Sequence, residues 1–310
     1  MRYRVYGLIL SSSIPFPELR PLAVGRATLR FRLATGPIDA RGWREEAPRL
    51  QSDGEPWLIV SRRDRAYRLR FGDAADFVLS ADGRTLVGYR RGRTPLTTVR
   101  HLALDQALPL VLAHRGNTVL HASAFAHDGG AVALLGPAGA GKSTLTASFG
   151  TDGAAIIADD AVVLRQRGDV LVTLPAYPGL RVWPDALTAM GYSGRGTRVK
   201  RASTKLRIGP GDVPLTFADR PMPLRSLYLL QRAGRTSRVR IDVLSRREAL
   251  LELLKCCYAL DITDRGKLVE HLDRLTRDCL SLAIRRITYP NDLRVLPRVR
   301  AAMLEDLRTG

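Results

Sequence analysis

A glycine-rich run that ends in lysine and serine has the composition and spacing of a phosphate-binding loop. Residues 136–143 read Gly-Pro-Ala-Gly-Ala-Gly-Lys-Ser, after the apolar run 131–135 and before a helical segment, 144–149. Glycines let backbone amides curl around phosphate oxygens, and the start of the following helix adds positive potential. The residues expected to contact a nucleotide are Gly136, Gly139, Ala140, Gly141, Lys142, Ser143 and Thr144.

Two residues of this loop have distinct expected roles. The Lys142 ammonium is expected to reach the β and γ phosphates of a nucleotide, and the Ser143 hydroxyl is expected to be a ligand of Mg²⁺. ATP and Mg²⁺ are therefore the expected substrate and cofactor. The motif is specific in this setting because a strand precedes it and a helix follows it.

Two adjacent carboxylates follow the next apolar run along the chain. Asp159 and Asp160 come directly after residues 155–158, Ala-Ile-Ile-Ala. In a parallel sheet, this position puts them at the carboxyl ends of the strands, beside the phosphate loop. One could hold the metal while the other accepts a proton, and adjacent carboxylates push their proton affinities apart. The alternative interpretation is a turn or helix-cap pair.

The histidines and cysteines do not have the spacing of a metal site. His121 lies among apolar residues in the segment 119–123, a pattern that is typical of a core histidine. Cys256, Cys257 and Cys279 lie in segments with helical periodicity, which predicts buried thiols and fits a reducing cytoplasm.

Composition indicates a globular protein whose basic charge permits an acidic partner but does not by itself predict one. The chain has 310 residues, 45% of them hydrophobic, and a formal net charge of +19. Its arginines are spread along the whole length, and the aromatic residues do not interleave with a basic patch, so nucleic-acid binding is not expected. No apolar run approaches the roughly 20 residues that a membrane span requires. The expected location is cytoplasmic, without membrane association.

Hydrophobic periodicity divides the chain at about residue 95. Residues 1–95 show alternating strands separated by turn signals, which predicts an antiparallel meander with one wet, arginine-rich face. Residues 97–114 change to a helical period that Pro109 should kink or split. Strands and helices then mix through 96–310, where Ser245 and Glu248 form a predicted capping box. Further helices are predicted over 264–283 and 293–307.

Several of these segments resemble one family. The residues 120–123 (Leu-His-Ala-Ser), 135–144 around the loop and 157–162 (Ile-Ala-Asp-Asp-Ala-Val) resemble the catalytic core of HPr kinase/phosphorylase. The stretch 177–185 (Tyr-Pro-Gly-Leu-Arg-Val-Trp-Pro-Asp) and the opening 6–19 are more similar to HPr-kinase-like proteins of ribosomal peptide gene clusters. That group includes the kinases that phosphorylate lasso-peptide precursors.

The resemblance implies a fold, an activity and site residues. It implies an α/β fold, α+β overall: a P-loop kinase core with a mixed sheet (96–310), related to HPr kinase and phosphoenolpyruvate carboxykinase, after a β-rich, substrate-reading domain (1–95). The activity implied is serine phosphorylation of a peptide, and a homo-oligomer is compatible with it. By matching position, Asp159 is the expected base, Asp160 a metal ligand with Ser143, and His121 a supporting residue. Lys205, with Lys200 and Arg201, is a candidate to hold phosphate.

Two other functions remain open at this point. The same phosphate-binding loop could support transfer of a nucleotidyl group to a hydroxyl, because nucleotidyl transfer and phosphoryl transfer both need positioned phosphates. The chain could also be a nucleotide-dependent regulatory module with little turnover. Segments of the HPr kinases that serve the reverse phosphorolysis have no counterpart here, which argues against HPr as the substrate and against phosphorylase activity.

Overall fold

The computed structural model describes residues 1–46, 48–50, 56–198, 204–234, 238–260 and 262–309. These residues form two compact units. The first comprises Met1–Asn117 with Ala259–Glu270, and the second Thr118–Tyr258 with His271–Gly310. The division into domains 1–95 and 96–310 stays a prediction; the compact units group residues 96–117 with the amino-terminal strands.

The first unit contains a ten-stranded sheet in the order β3-β1-β2-β4-β10-β9-β8-β7-β5, with β6 paired to β7. The strands are β1 (Arg2–Val5), β2 (Leu8–Ser12), β3 (Arg20–Pro21), β4 (Leu29–Leu33), β5 (Arg44–Glu45), β6 (Arg49–Leu50), β7 (Pro56–Arg63), β8 (Ala66–Phe71), β9 (Ala75–Leu79) and β10 (Thr85–Arg90). Alternation sets its two faces: in β4, Leu29 and Phe31 are buried while Arg30 and Arg32 are exposed.

The expected antiparallel meander holds only for part of this sheet. Strands β7 to β10 pair antiparallel in sequence order, but β4 lies parallel to both β2 and β10. The prediction of a purely antiparallel sheet was therefore wrong. The physical reason is connection length: 16 residues separate Ser12 from Leu29, enough to return the chain to the starting edge, as a parallel pair requires.

The helical segment of this unit is interrupted as its proline predicts. Helix α1 (Leu96–Leu102) passes into a π-helical turn, Ala103–Ala107, before helix α2 (Leu108–His114) begins. Pro109 is the second residue of α2, directly after the π-helical turn, and it has no amide hydrogen to donate to the preceding turn.

The second unit is built on a nine-stranded mixed sheet and a separate three-stranded sheet. Its strands are β11 (Thr118–Leu120), β12 (Ser123–His127), β13 (Gly130–Leu135), β14 (Ile156–Ala158), β15 (Val162–Arg167), β16 (Val170–Leu174), β17 (Leu180–Val182), β18 (Thr197–Arg198), β19 (Leu206–Ile208), β20 (Met222–Ala233), β21 (Arg240–Val243) and β22 (Ile284–Pro290). Its helices are α3 (Lys142–Thr151), α4 (Pro184–Ala189), α5 (Arg246–Cys256), α6 (Arg265–Cys279), whose residues up to Glu270 belong to the first unit, and α7 (Leu296–Thr309). The mixed α+β architecture expected from the sequence is confirmed.

Strand direction determines where the loops of the large sheet meet. Strand β12 lies between β13 and β14 and pairs antiparallel with both. Strands β13 and β14 therefore run in the same direction and end at the same sheet edge. Strands β20 and β22 run parallel to β13, so their carboxyl ends lie there too.

Several local features follow from the sequence. Ser245 and Glu248 form the predicted capping box at the start of α5. Cys256 and Cys279 are buried as expected, whereas Cys257 is only partly buried. Among helices in the described part of the chain, none combines the length and apolar character that crossing a membrane requires.

Candidate active site

The glycine-rich loop connects β13 to α3, and two of its glycines are sterically required. Gly136 has a φ of +142°, and a Cβ there would lie 3.0 Å from the Leu230 carbonyl oxygen. Gly141 caps α3 with a φ of +101°, and a Cβ there would lie 2.9 Å from the Tyr289 hydroxyl. Such backbone conformations favour glycine, so the glycine positions fit the tight path of this loop.

The Lys142 ammonium lies inside the loop that it terminates. Its Nζ donates to the carbonyl oxygen of Gly136 at 2.6 Å and to that of Pro137 at 3.2 Å. Burial lowers the pKa of Lys142, although the charges of Asp159 and Asp160 oppose that change. The buried cation is therefore held by two backbone carbonyl oxygens of the loop.

Ser143 and Asp159 join the loop to the end of β14. The Ser143 hydroxyl donates to Oδ1 of Asp159 at 2.8 Å, and the Arg181 amide donates to Oδ2 of the same carboxylate at 2.9 Å. The neighbouring hydroxyl residue, Thr144, is buried in the first turn of α3. The antiparallel strand between β13 and β14 makes the Ser143–Asp159 contact possible, since it lets both loops leave the same sheet edge.

Asp160 faces a different set of partners. Its Oδ2 accepts from Nε of Arg181 at 2.8 Å, and the two side chains form an ion pair. Its backbone carbonyl contacts Nδ1 of His121 at 3.0 Å and accepts from the Tyr258 hydroxyl at 3.3 Å. The φ of Asp160 is +62°, a left-handed conformation that aspartate tolerates better than most residues do. This turn points the two carboxylates at different neighbours.

The environments of the two carboxylates separate their proton affinities. Burial, followed by the charge of Asp160, raises the pKa of Asp159 to about 6. Burial alone would also raise the pKa of Asp160, but the charges of Arg181, His121 and Lys205 hold it well below its usual range. At neutral pH, Asp160 is thus firmly ionised, while Asp159 is near the point at which it can exchange a proton.

The three-stranded sheet brings two basic residues to this site. Strand β17 carries Arg181 and pairs antiparallel with β19, which begins directly after Lys205. Nζ of Lys205 lies 5.6 Å from the ring centroid of Trp183. The charge of Lys205 acts on both Lys142 and Asp160, so this lysine lies close to the loop, whereas Lys200 and Arg201 lie outside the described residues.

Besides Tyr258, three further side chains at this site were not predicted as site residues. Arg181 bridges the two aspartates, and Tyr289 and Arg232 both donate to the Ala140 carbonyl, at 2.7 Å and 3.3 Å. Tyr289 and Arg232 come from the ends of β22 and β20. The only sequence signal was the position of Arg181 in the stretch 177–185; for the other two, the parallel pairing of distant strands is needed.

His121 lies in the link between β11 and β12. The pairing of Leu120 with Val162 carries it to the Asp160–Ala161 backbone. Burial, followed by the charge of Lys142, lowers the pKa of His121, which favours the neutral imidazole at pH 7. The neutral ring contacts the Asp160 carbonyl and orients this turn. Only the protonated ring carries the charge that lowers the pKa of Asp160.

The oxygen donors present fit Mg²⁺. In nucleotide sites this ion takes one or two protein oxygens and completes its shell with phosphate and water. The Ser143 hydroxyl and the Asp159 carboxylate are adjacent, and Asp160 follows directly. The expected pairing of Ser143 with Asp160 is not the contact seen here, since Ser143 bonds to Asp159 and Asp160 to Arg181. Among the residues that the structure describes, no group of three or more His, Cys, Asp or Glu side chains is arranged to hold a metal.

Replacing Asp159 by Asn should change how stability depends on pH. The pKa of Asp159 is about 6 in the folded protein and 3.8 in its ordinary range. The stabilisation from this raised pKa is complete below about pH 4 and is lost as the pH rises through about 6. Asn cannot ionise, so Asp159→Asn should match the wild type near pH 4 and exceed it above pH 7 by up to about 3 kcal/mol. Urea unfolding of the metal-free protein at both pH values checks this; the same difference at both would contradict it.

Removing the Arg181 guanidinium should leave Asp160 as an unpaired buried charge. We expect Arg181→Gln to lower the free energy of unfolding by roughly 3 kcal/mol at pH 7, and Arg181→Lys to lower it less. The matched control is Arg294→Gln, which breaks an exposed pair with Asp292 and should cost less than about 1 kcal/mol. Equal losses in the two glutamine variants would show that the Asp160–Arg181 pair is not a buried, mutually dependent unit.

Comparisons with known proteins add little to this geometry. No protein-family model matches the sequence, and no curated protein matches it. Among solved structures, the chain is similar to one titled "Structure of the Hpr(Ser) kinase/phosphatase from Coxiella burnetii". Sequence identity is 15%, the match covers 60% of this chain and 97% of that chain, and the TM-score is 0.29. A TM-score of this size does not establish a shared fold.

Proposed function

We propose that this chain is an ATP- and Mg²⁺-dependent serine kinase that transfers the γ-phosphoryl group to a hydroxyl of a peptide. The observation that carries the proposal is the contact between Ser143, in the phosphate-binding loop, and Asp159, a buried carboxylate whose pKa is raised to about 6. The phosphate-binding loop and a group that can accept a proton are therefore joined directly by one hydrogen bond. Phosphoryl transfer to a hydroxyl requires both.

Asp159 serves as the general base in this proposal. A carboxylate with a pKa of about 6 is mostly ionised at pH 7 and binds a proton more readily than an ordinary aspartate does. It accepts the proton of the attacking serine hydroxyl. The oxygen–phosphorus bond to the peptide then forms while the bond between the γ-phosphorus and the β–γ bridging oxygen breaks, and ADP leaves.

The loop supplies the positive environment for this transfer. The Lys142 ammonium and the backbone amides at the start of α3 neutralise charge on the β and γ phosphates. The Ser143 hydroxyl, with Asp160, would hold Mg²⁺, which neutralises phosphate charge when it is bound. Arg181 keeps Asp160 ionised and holds Asp159 through its amide. Lys205, directly before β19, would contact a phosphate oxygen in this proposal.

The family and the substrate are part of the proposal. The segments 120–123, 135–144, 157–162 and 177–185 support membership of the HPr-kinase-like serine kinases, closest to those that act on lasso-peptide precursors. The peptide substrate would then be a ribosomal precursor with a serine. The first unit would read that peptide, and a cytoplasmic location is proposed with it.

Product identity tests the proposal. Serine-containing precursor peptides are incubated with the full chain, ATP and Mg²⁺, and both the peptide mass and the nucleotide product are followed. A gain of one phosphoryl mass together with ADP supports the kinase. A gain of a nucleotidyl mass with released diphosphate would replace it by nucleotidyl transfer. Bound nucleotide without turnover on any peptide of the set would favour a regulatory module.

A further inference from the structure

One face of the first unit carries exposed arginines on neighbouring strands. In β1, Arg2 and Arg4 are exposed while Tyr3 and Val5 are buried, and in β4, Arg30 and Arg32 are exposed while their neighbours Leu29 and Phe31 are buried. Only β2 lies between β1 and β4. We name the four side chains Arg2, Arg4, Arg30 and Arg32 the arginine face.

Strand register places these arginines in rows across the sheet. Arg2 is opposite Ser11, and Ser11 is opposite Arg30, so the three residues share one row. Arg4 lies one row further on, opposite Ile9 in β2 and Arg20 in β3. Since residues two apart on a strand point to the same side about 7 Å apart, and strands lie about 4.8 Å apart, the arginines form one continuous band.

This band has few carboxylates to balance it. Residues 1–35 contain six arginines and one acidic residue, Glu18, which is paired with Arg100 at 3.0 Å. Among the described residues, the guanidinium groups of the arginine face form no ion pair. Further along the sheet, the one carboxylate in β7 to β10 is Asp76, and it is already contacted by Arg68 at 2.8 Å and Arg91 at 3.2 Å. The positive charge of the band therefore has no neutralising partner within this part of the unit.

We propose that the arginine face binds an acidic polypeptide segment in an extended conformation. Alternate side chains of an extended segment lie about 7 Å apart, which matches the spacing of Arg30 from Arg32 and of Arg2 from Arg4. Carboxylates at alternate positions would thus each meet a guanidinium, a pairing that can be bidentate. The small side chain of Ser11 between the two strands leaves room for the segment to lie flat.

The chemistry of the band favours a peptide over nucleic acid. The positions that pair with the arginines in β2 and β10 are occupied by Ile9, Ser11, Thr85 and Val87, none of which offers an aromatic surface for base stacking. The inference is independent of the proposed function, because binding at this face requires neither nucleotide nor phosphoryl transfer.

Fluorescence anisotropy with the full chain tests the inference. The probe is a labelled peptide of alternating Glu and Ser, and the same peptide with Gln in place of Glu is its control. We expect Arg30→Gln/Arg32→Gln to weaken binding of the acidic peptide about five- to tenfold at low salt. Arg2→Gln/Arg4→Gln should act alike. The charge-matched control, Arg247→Gln/Arg298→Gln on α5 and α7, should change affinity less than about twofold.

Three outcomes would overturn the inference. Equal losses in the face variants and the control variant would mean attraction by net charge without a site. Equal binding of the Glu and Gln peptides would mean that carboxylates are not recognised. Tighter binding of a DNA oligonucleotide, lost with the same Arg30/Arg32 variant, would make the face a nucleic-acid surface. Unchanged circular dichroism and unchanged nucleotide binding in each variant separate these outcomes from misfolding.

Discussion

Replacing Asp159 by Asn should reduce the rate of phosphoryl transfer by roughly 10² to 10⁴-fold, the range that a positioned general base contributes. The substitution keeps the size of the side chain and its ability to contact Ser143 and the Arg181 amide. Nucleotide affinity should stay within roughly threefold of the wild type, because the loop and Lys142 are unchanged. Steady-state transfer to a serine peptide, with nucleotide binding measured by calorimetry, checks both expectations.

The matched control for this prediction is Asp169→Asn. Asp169 is exposed in the turn between β15 and β16, so the change removes one carboxylate without touching the site. It should leave both transfer and binding near wild type. If Asp159→Asn retained phosphoryl transfer, Asp159 would not be the general base. If the variant lost nucleotide binding, Asp159 would instead be part of the nucleotide-binding site.

Replacing Lys142 by Met should weaken nucleotide binding roughly ten- to 100-fold and abolish measurable transfer. Methionine keeps the length of the chain but removes the ammonium, whose hydrogen bonds to charged phosphate oxygens are worth about 1.5–3 kcal/mol. Burial of Lys142 within the loop makes this loss larger than that of an exposed lysine would be. Calorimetric titration with ATP and Mg²⁺ measures it.

Lys255→Met is the control for that loss. Lys255 is exposed on α5 and pairs with Glu252 at 2.8 Å, so the variant removes one exposed positive charge by the same change of residue type. Nucleotide affinity should stay unchanged in this variant. If Lys142→Met bound nucleotide as well as Lys255→Met does, the loop would not be the nucleotide site.

Local sequence signals predicted the parts of the site that are continuous in the chain. The strand before the loop is β13, and the helix expected over 144–149 is α3, Lys142–Thr151, which begins within the motif itself. The capping box at Ser245 and the change in the helix near Pro109 are likewise predictable from the sequence, because each depends on residues within one helical turn.

The sequence predicts Asp159 and Asp160 beside the loop, and the structure places them there, but through a different strand arrangement from the one expected. A parallel neighbour was assumed, but β12 is inserted antiparallel between β13 and β14. Because β12 is antiparallel to both neighbours, β13 and β14 run in the same direction. The carboxyl end of β14 therefore lies at the same end of the sheet as the loop that follows β13. The periodicity of short apolar strands carries no information about which strand lies between two others.

Arg181 and Tyr289 show what sequence reasoning could not supply. Arg181 reaches both aspartates because β17 pairs with β19 of the small sheet, and Tyr289 reaches Ala140 from 149 residues away because β22 lies parallel to β20. These contacts depend on long-range pairing, whereas each residue by itself looks like any other arginine or tyrosine on a short strand.

Transfer of radioactive label from ATP to a serine peptide tests the central claim most directly. The full chain is incubated with the peptide, Mg²⁺ and ATP that is labelled either at the γ or at the α phosphorus. The kinase proposal predicts that label from the γ position appears on the peptide with the wild type and not with Asp159→Asn, and that label from the α position does not appear. Label from the α position on the peptide, or no label from either position while nucleotide is bound, would contradict it.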